Sequence, residues 1–329
     1  MSVNVVPATP EAIERAAEAL ARGSLVAFPT ETVYGLGADA ANPEAVRAVF
    51  IAKGRPPDHP LIVHLPDATH LDAWARDVPD GARSLAAAFW PGPLTLILPR
   101  AALATDAVTG GEDTVGLRVP AHPVAQALLA AFARRGGHGV AAPSANRYGH
   151  VSPTTARHVA DDLGDRVATI LDGGACDVGI ESTIVAFDGN RPLLMRPGGV
   201  DVAALANVLG RAPDRPAAGA PRASGTHASH YAPRTAAFLV APHALAAEVA
   251  NLCGRDEAVA VLARTVSRPD DFDGHWIDAP RDVEGYARDL YANLRALDAK
   301  AADAIVIEAP PSGAAWLAVR DRLERATHR

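Results

Sequence analysis

The sequence predicts a two-domain α/β protein, and three observations support this fold class. The chain has 329 residues, which is longer than one ordinary hydrophobic core requires. Its apolar content of 49% and charged content of 21% are typical of globular proteins. Strand-like and helix-like segments alternate along most of the chain, as in a sheet layered with helices.

The first part of the chain carries clear signals for helices and strands. Thr9 and Pro10 begin one helix, which Gly23 ends, and Asn42-Pro43 begins a second helix that runs towards Lys53. Further helices are predicted at 80–89, at 122–135 and from Ser152-Pro153 onwards. Strands are predicted at 24–28, 61–65, 93–99, 114–120 and 138–146, followed by a strand-rich region that ends near residue 199.

Residues 211–234 interrupt this pattern. The segment is rich in proline and arginine, lacks apolar periodicity and is longer than a passive connection requires. Beyond it, three buried-type strands, "TAAFLVA", "AVAVLA" and "ADAIVIEA", alternate with helical stretches at 242–252, 281–299 and 312–326. We therefore predict a first domain at 1–210, a linker at 211–234 and a second domain with a parallel sheet at 235–329.

Composition excludes several classes of protein. A formal net charge of -7 argues against a general nucleic-acid or membrane coat. The first twenty residues do not resemble a signal peptide, and no stretch approaches the ~18 apolar residues of a membrane span. Cys176 and Cys253 lie far apart, which fits a reducing compartment and gives no zinc signature. A cytoplasmic protein without membrane attachment is expected.

Two short motifs are weak. "GLGADA" (35–40) matches a dinucleotide fingerprint, but six residues separate it from the preceding strand, so we interpret its glycines as a tight turn. His227 and His230 have the spacing of metal ligands without a nearby carboxylate or cysteine. We predict no metal site formed by protein side chains.

The polar loops are more informative because each follows or ends a predicted strand, where sites collect in α/β sheets. They bring four cations, Lys53, Arg55, Arg118 and Arg196, together with hydroxyls at Thr30, Thr32, Ser144, Ser152 and Ser182. This combination suits a polyphosphate and a carboxylate.

Several motifs occur together in an order that is similar to one known family. They are "PTETVYGLG", Lys53-x-Arg55, Ser144-x-Asn146, "SPT", "ESTIV", "RPGG" and, in the linker, "HYAP". The chain resembles the threonylcarbamoyl-AMP synthases of the YrdC-like family in their long, two-domain form. The resemblance implies a YrdC-like twisted mixed sheet with a concave basic cavity, followed by a smaller Rossmann-like α/β domain.

The resemblance also implies a reaction. Such enzymes are nucleotidyltransferases that condense L-threonine, bicarbonate and ATP to threonylcarbamoyl-AMP and release pyrophosphate. A separate transferase then uses the product to modify tRNA. Mg²⁺ is expected to arrive with ATP, held mainly by phosphate oxygens and water. Weak binding of tRNA or double-stranded RNA stays open as a further property.

The family pattern assigns roles to individual positions. The catalytic tetrad is Lys53, Arg55, Ser144 and Asn146. ATP is expected at Arg55, His59, Thr114, Ser144, Ser152, Arg196 and Tyr231. Threonine is expected at Thr32, His64, Arg118, the backbone of Ala142, and Ser182. The linker is expected to form a lid over the first-domain cavity, and a chain truncated near residue 207 that kept normal product yield would argue against this.

Two alternative functions remain open. A module that binds double-stranded RNA or tRNA would use the same concave basic face, although the acidic charge and few aromatics argue against it. A carbamoyl-adenylating domain of the hydrogenase-maturation type would need paired C-x-x-C motifs that this sequence lacks.

Overall fold

A computed structural model describes residues 4–217, 219–225 and 230–328, which form two compact units. The first unit holds residues 4–148, 153–177, 181–217 and 219–225. The second unit holds residues 149–152, 178–180 and 230–328. The segment predicted as a linker is thus divided, since residues 211–217 and 219–225 group with the first unit and 230–234 with the second.

The first unit is built on a ten-stranded mixed sheet with the strand order β1-β8-β2-β3-β7-β4-β6-β5-β9-β10. Its strands are β1 (Val5–Pro7), β2 (Val26–Phe28), β3 (Gly35–Asp39), β4 (Ile62–His64), β5 (Leu94–Pro99), β6 (Thr114–Arg118), β7 (Val140–Ala141), β8 (Thr169–Asp172), β9 (Thr183–Asp188) and β10 (Arg191–Arg196). The sheet contains both parallel and antiparallel pairs; β4 is parallel to β6, whereas β5 is antiparallel to β6. The predicted mixed sheet is confirmed.

Helices accompany this sheet, and their caps explain where they begin. They are α1 (Pro10–Ala21), α2 (Pro43–Lys53), α3 (Leu71–Trp74), α4 (Asp80–Phe89), α5 (Asp106–Thr109), α6 (Pro123–Ala133), α7 (Ala156–Leu163) and α8 (Val202–Leu209). The Thr9 hydroxyl accepts from the backbone of Ala12, and the Asn42 side chain accepts from Glu44 and Ala45. Gly54 ends α2 in the left-handed conformation, with φ of 65°, which leaves Lys53 in the last helical position.

Two local predictions were wrong. "GLGAD" is strand β3 and not a tight turn, because a glycine at position 37 lets the strand approach the Phe28 ring and Val140 more closely than a side chain would allow. The helix expected from Ser152-Pro153 begins instead at Ala156, since Thr155 supplies the capping hydroxyl that accepts from the backbone of His158.

The two faces of the first sheet differ in character. Val115 and Leu117 of β6 lie in the main hydrophobic core. Thr114, Gly116 and Arg118 alternate with them and therefore lie on the opposite face. We call this second face the site face; it carries Thr114 and Arg118 of β6, and His64 of β4 is paired in register with Arg118.

The second unit contains a four-stranded sheet with the order β11-β14-β12-β13, and all of its pairs are parallel. Its elements are β11 (Ala236–Val240), α9 (Leu245–Cys253), β12 (Val259–Ala263), β13 (His275–Asp278), α10 (Val283–Asp298), β14 (Ala304–Glu308) and α11 (Leu317–Ala326). The parallel sheet is confirmed, with β13 as a fourth strand that the sequence did not reveal.

No helix in the described ranges is both long and apolar enough to cross a lipid bilayer.

Candidate active site

Arg118, the last residue of β6, is the centre of a buried polar group on the site face. Only 4% of the residue is exposed. Its guanidinium donates to the Glu31 carboxylate at 2.6 Å, to the Thr32 hydroxyl at 2.9 Å and to the Gly92 carbonyl at 3.2 Å. We call Glu31, Thr32, His64 and Arg118 the Arg118 group. These contacts fix the plane of the guanidinium.

Glu31 is the counter-charge of this group. Burial favours the protonated carboxyl, but the charge and hydrogen bonds of Arg118 outweigh it, so the pKa of Glu31 lies below its ordinary value. The second carboxylate oxygen accepts from the backbone of Ala121 at 3.0 Å. Glu31 therefore stays ionised and holds Arg118 in place.

His64 lies beside Arg118 because β4 and β6 are parallel and these two residues are paired in register. Burial and the Arg118 charge lower the pKa of His64 to about 3. Its Nδ1 atom has no hydrogen-bond partner within the described part of the chain. The ring is thus a neutral imidazole next to a fixed cation.

Hydroxyls extend this polar surface across β5 and β9. The Ser182 and Thr95 hydroxyls lie 2.8 Å apart, and both residues are buried. Arg196, at the end of β10, donates to the Ser182 carbonyl at 2.9 Å and to the Ser224 carbonyl at 2.8 Å. Two predicted positions, Ser182 and Arg196, are thereby in direct contact.

Lys53 is buried at the end of α2, with 4% of the residue exposed. Its ammonium nitrogen donates to the carbonyls of Ser144 and Asn146, each at 2.6 Å. Burial first and the charge of Arg55 second lower the pKa of Lys53 well below its ordinary value.

Arg55 and His59 lie near the turn that follows α2. The Arg55 guanidinium donates to the Pro60 carbonyl at 2.9 Å. The ring centroids of His59 and Tyr148 lie 5.5 Å apart. Two predicted contacts with the nucleotide thus come from one proline-rich turn.

Residues 222–224 cover part of the site face. The Ser224 hydroxyl donates to the Pro60 carbonyl at 2.8 Å, and Arg222 contacts Glu112 at 2.5 Å and the Gly110 carbonyl at 2.8 Å. A crevice of about 10 Å³ remains beneath them; its lining includes Pro60, Ile62, Thr95, Thr114, Gly116, Ile184, Arg222, Ala223 and Ser224. Thr114 therefore lies against this segment.

The other predicted positions have clear places in the fold. Ala142 is buried, and its backbone N–H donates to the Ile62 carbonyl at 3.0 Å. Ser152 belongs to the second unit, where its carbonyl accepts from Arg295 at 3.3 Å. Tyr231 also belongs to the second unit. Its ring stacks on that of Tyr291, with the ring centroids 5.7 Å apart, and the Arg322 guanidinium carbon lies 5.2 Å from the Tyr231 ring centroid. His227 lies outside the described residues.

Sequence reasoning missed Glu31, Thr95 and Ser224. Glu31 lies between two threonines in the motif "PTETVYGLG". A carboxylate at this position is a sequence signal for a buried cation nearby, and the structure shows that the cation is Arg118. Thr95 reads as an ordinary strand residue, and only the register of β5 places it beside Ser182.

The assembled groups are mainly hydrogen-bond donors and cations. Such a surface can bind anions and stabilise developing negative charge. Within the described ranges, no cluster of three or more His, Cys, Asp or Glu residues is arranged to hold a metal ion.

Comparison with known proteins identifies the family. A family model described as "Telomere recombination" matches residues 18–198, and one described as "Threonylcarbamoyl-AMP synthase, C-terminal domain" matches residues 200–327. The chain belongs to the threonylcarbamoyl-AMP synthase family.

Relatives in this family match nearly the whole chain. The threonylcarbamoyl-AMP synthases of Pyrococcus abyssi and Bacillus subtilis are each 38% identical over 327 residues. These alignments cover 96% and 95% of this chain and 94% and 92% of the relatives. The chain is accordingly an enzyme.

Solved structures agree with this assignment. A crystal structure of P. abyssi Sua5 complexed with L-threonine superposes with a TM-score of 0.90 at 36% identity and covers 98% of this chain and 96% of that one. Escherichia coli YciO, at 23% identity and a TM-score of 0.53, covers 62% of this chain and 100% of its own, and shares the fold. The threonylcarbamoyl-AMP synthase family thus accounts for both units.

Proposed function

We propose that this enzyme is a nucleotidyltransferase that condenses L-threonine, bicarbonate and ATP to threonylcarbamoyl-AMP. The threonine amine forms a bond to the bicarbonate carbon, and water leaves. An oxygen of the resulting carbamate then attacks the α-phosphorus of ATP, and the bond to pyrophosphate breaks. Positioning and charge neutralisation provide most of the rate enhancement in such a reaction.

The observation that carries this proposal is the convergence of Arg118, His64 and Thr32 on one sheet face. The contacts described above use three of the five N–H groups of Arg118, so donors remain for a carboxylate. The neutral imidazole of His64 can accept a hydrogen bond from the substrate amine. Ser182 and the backbone of Ala142 complete the proposed threonine site. Threonine as the substrate is supported by the relative that was crystallised with L-threonine.

The nucleotide is proposed to bind beside the threonine site, in contact with Arg55, His59, Thr114, Ser144 and Arg196. Arg55 is the first choice for a triphosphate contact because its planar fork can bind two phosphate oxygens. Lys53 acts differently from Arg55 in this proposal. Its amine supports the carbonyls of Ser144 and Asn146, so it shapes the loop that meets the phosphates.

Mg²⁺ is proposed to enter with ATP. The side chains around the proposed nucleotide site are donors, and the carboxylate of Glu31 is already paired with Arg118. The residues therefore suit a metal that is held by phosphate oxygens and water. When bound, the ion neutralises phosphate charge, while the protein residues orient the two substrates.

Ser152 and Tyr231 stay proposed nucleotide contacts. Residues 222–224 are proposed to exclude water from the site, because the carbamate and the mixed anhydride product are labile. The product is proposed to be passed to a separate transferase that modifies tRNA.

The proposal is tested by incubating the protein with ATP, labelled bicarbonate and L-threonine. The expected result is label in a product with the mass of threonylcarbamoyl-AMP, formed only when all three substrates are present. Label that enters an adenylate without threonine would contradict the proposal.

A further inference from the structure

The carboxyl edge of the second sheet has the topology of a ligand site. Strands β14 and β12 are neighbours in the middle of this sheet. The connection after β12 leads to β13 at one edge, whereas the connection after β14 leads to α11, which packs on β11 at the other edge. Neighbouring strands whose connections diverge leave a crevice at their carboxyl ends, where open α/β sheets bind ligands. In this sheet that position lies beyond Ala263 of β12 and Glu308 of β14.

The chain already places one carboxylate at this edge. Glu308 is fully buried and accepts from the backbone N–H groups of Arg264, Thr265 and Val266 at 2.6, 2.8 and 3.1 Å, and from the Thr265 hydroxyl. Burial raises the pKa of Glu308, but these donors outweigh it and lower the pKa below its ordinary value. Glu308 is thus an ionised, fully hydrogen-bonded group that fixes the loop after β12.

Two buried donors beside Glu308 lack an acceptor. The Arg264 Nε atom and the Tyr286 hydroxyl have no hydrogen-bond partner in the described ranges. Tyr286 is only 1% exposed, and both residues meet Trp316: the Arg264 guanidinium lies 5.2 Å from its ring, and the Tyr286 ring lies 5.5 Å away. Buried polar groups in folded proteins are nearly always paired, so two that lie against the same indole point to a ligand.

The donors define the ligand. An arginine Nε–H can only donate. Burial and the Glu308 charge raise the pKa of Tyr286, so its hydroxyl keeps its proton and also donates. Helix α10 begins at Val283, a few residues after β13 ends at this same edge, and its N-terminus adds a favourable field for negative charge.

We propose that the carboxyl edge of the second sheet is a second ligand site, which binds a small oxyanion, a phosphate or a carboxylate, through Arg264 and Tyr286 against Trp316. The oxyanion accepts from both unpartnered donors, and the indole forms one wall. None of these three residues belongs to the proposed threonine and ATP site.

The test uses the full chain and the indole N–H signals of its four tryptophans in NMR spectra. The Trp316 signal is assigned by its loss in Trp316→Phe. Inorganic phosphate is titrated at constant ionic strength, and succinate is the second arm. The Trp316 signal is expected to shift saturably with at least one probe, and the arm that saturates at lower concentration identifies a phosphate or a carboxylate ligand.

Variants localise the effect. Tyr286→Phe removes only the hydroxyl and is expected to weaken binding about tenfold, and Arg264→Gln should weaken it further. Arg268→Gln is the matched control, because Arg268 lies on the same loop but donates to the Phe272 carbonyl at 2.6 Å. A Trp316 signal that neither probe moves, or equal binding by Tyr286→Phe, Arg264→Gln and Arg268→Gln, would overturn the proposal.

Discussion

At the scale of single residues, the pairing of Arg118 with Glu31 decides what the site can bind. Burying an ion pair costs the desolvation free energy of both charges, and this cost is offset only where nearly all donors and acceptors of the pair form hydrogen bonds. Glu31 meets Arg118 and the Ala121 backbone, so its own requirements are satisfied without a substrate. Arg118 has two further N–H groups beyond the three that these contacts use, so it can also bind a substrate carboxylate.

We predict that Arg118→Gln weakens threonine binding far more than ATP binding. Loss of a hydrogen bond to a charged group costs about 1.5–3 kcal/mol, so KM for threonine should rise roughly 10- to 150-fold. The measurement is steady-state pyrophosphate release with each substrate varied in turn.

The single change leaves Glu31 buried without its cation, so Glu31→Gln/Arg118→Gln is the control for misfolding. The double variant should fold better than Arg118→Gln and still bind threonine poorly. Equal losses in KM for threonine and ATP would refute the assignment of Arg118.

His64 gives a prediction for stability against pH. Folded His64 stays neutral down to about pH 3, whereas an unfolded histidine takes up a proton near 6.5. Between these values the unfolded state binds more protons, so acidification favours unfolding. Acidification from pH 6.5 to pH 5 should therefore lower the free energy of unfolding by about 1.6 kcal/mol through His64.

The measurement is urea unfolding at both pH values, followed by hydrogen exchange in β4 and β6. His64→Gln should lose less stability on acidification than the unchanged protein. His243→Gln, which changes an exposed histidine, is the control and should behave like the unchanged protein. An identical acid response in all three proteins would contradict a neutral His64.

At the scale of elements, Lys53 joins the end of α2 to the loop that contains Ser144 and Asn146. The Gly54 cap stops the helix where the side chain reaches both carbonyls. The "KGR" sequence thus serves two purposes: Lys53 supports a loop, and Arg55 is left for the nucleotide.

Lys53→Met should therefore destabilise the protein by about 1–3 kcal/mol, because two buried carbonyls lose their donor. Arg55→Ala should change stability less and raise KM for ATP more. Thermal unfolding and ATP kinetics of the two variants separate these effects. A Lys53→Met protein of unchanged stability would argue for direct phosphate contact by Lys53.

The sequence predicted helices and strands correctly where interactions between neighbouring residues determine where they begin. Thr9-Pro10 and Asn42-Pro43 mark helix starts because capping is a local interaction. Strand β3 was not predicted because its glycine pattern depends on a tertiary contact. The Phe28 ring packs so closely on Gly37 that no side chain fits there, and the local sequence does not show this contact. The four-residue strand β13 has little pattern of its own, and pairing with β12 defines it.

The residues of the site could be predicted only where they lie in motifs that resemble those of the family. Lys53, Arg55, Arg118 and Arg196 could be chosen from the sequence, but their partners could not. Strand register places His64 beside Arg118, and the fold, not the spacing, directs Lys53 to backbone carbonyls. The division of the predicted linker between two units is likewise a property of tertiary contacts.

At the scale of the whole molecule, the segment after β10 is bound to the first unit through several contacts. Asp214 forms a bridge with Leu193 of β10, Ala223 packs in a small apolar cluster, and Arg222 and Ser224 make polar contacts. These contacts are what a cover over a water-sensitive reaction requires.

Loosening this cover should uncouple the reaction. Arg222→Gln/Ser224→Ala is expected to release several-fold more pyrophosphate per molecule of intact product, because water reaches labile species. Arg215→Gln, an exposed arginine of the same segment, is the control. A ratio of pyrophosphate to product that stays the same in the double variant and the control would show that residues 222–224 do not exclude water.

We claim that adenylation depends on threonine held by the Arg118 group, and this dependence is measured as pyrophosphate release in the presence and absence of L-threonine. With ATP, Mg²⁺ and bicarbonate present, we predict that release is near background until threonine is added, and that one pyrophosphate forms per threonylcarbamoyl-AMP. Equal pyrophosphate release with and without threonine would contradict the claim.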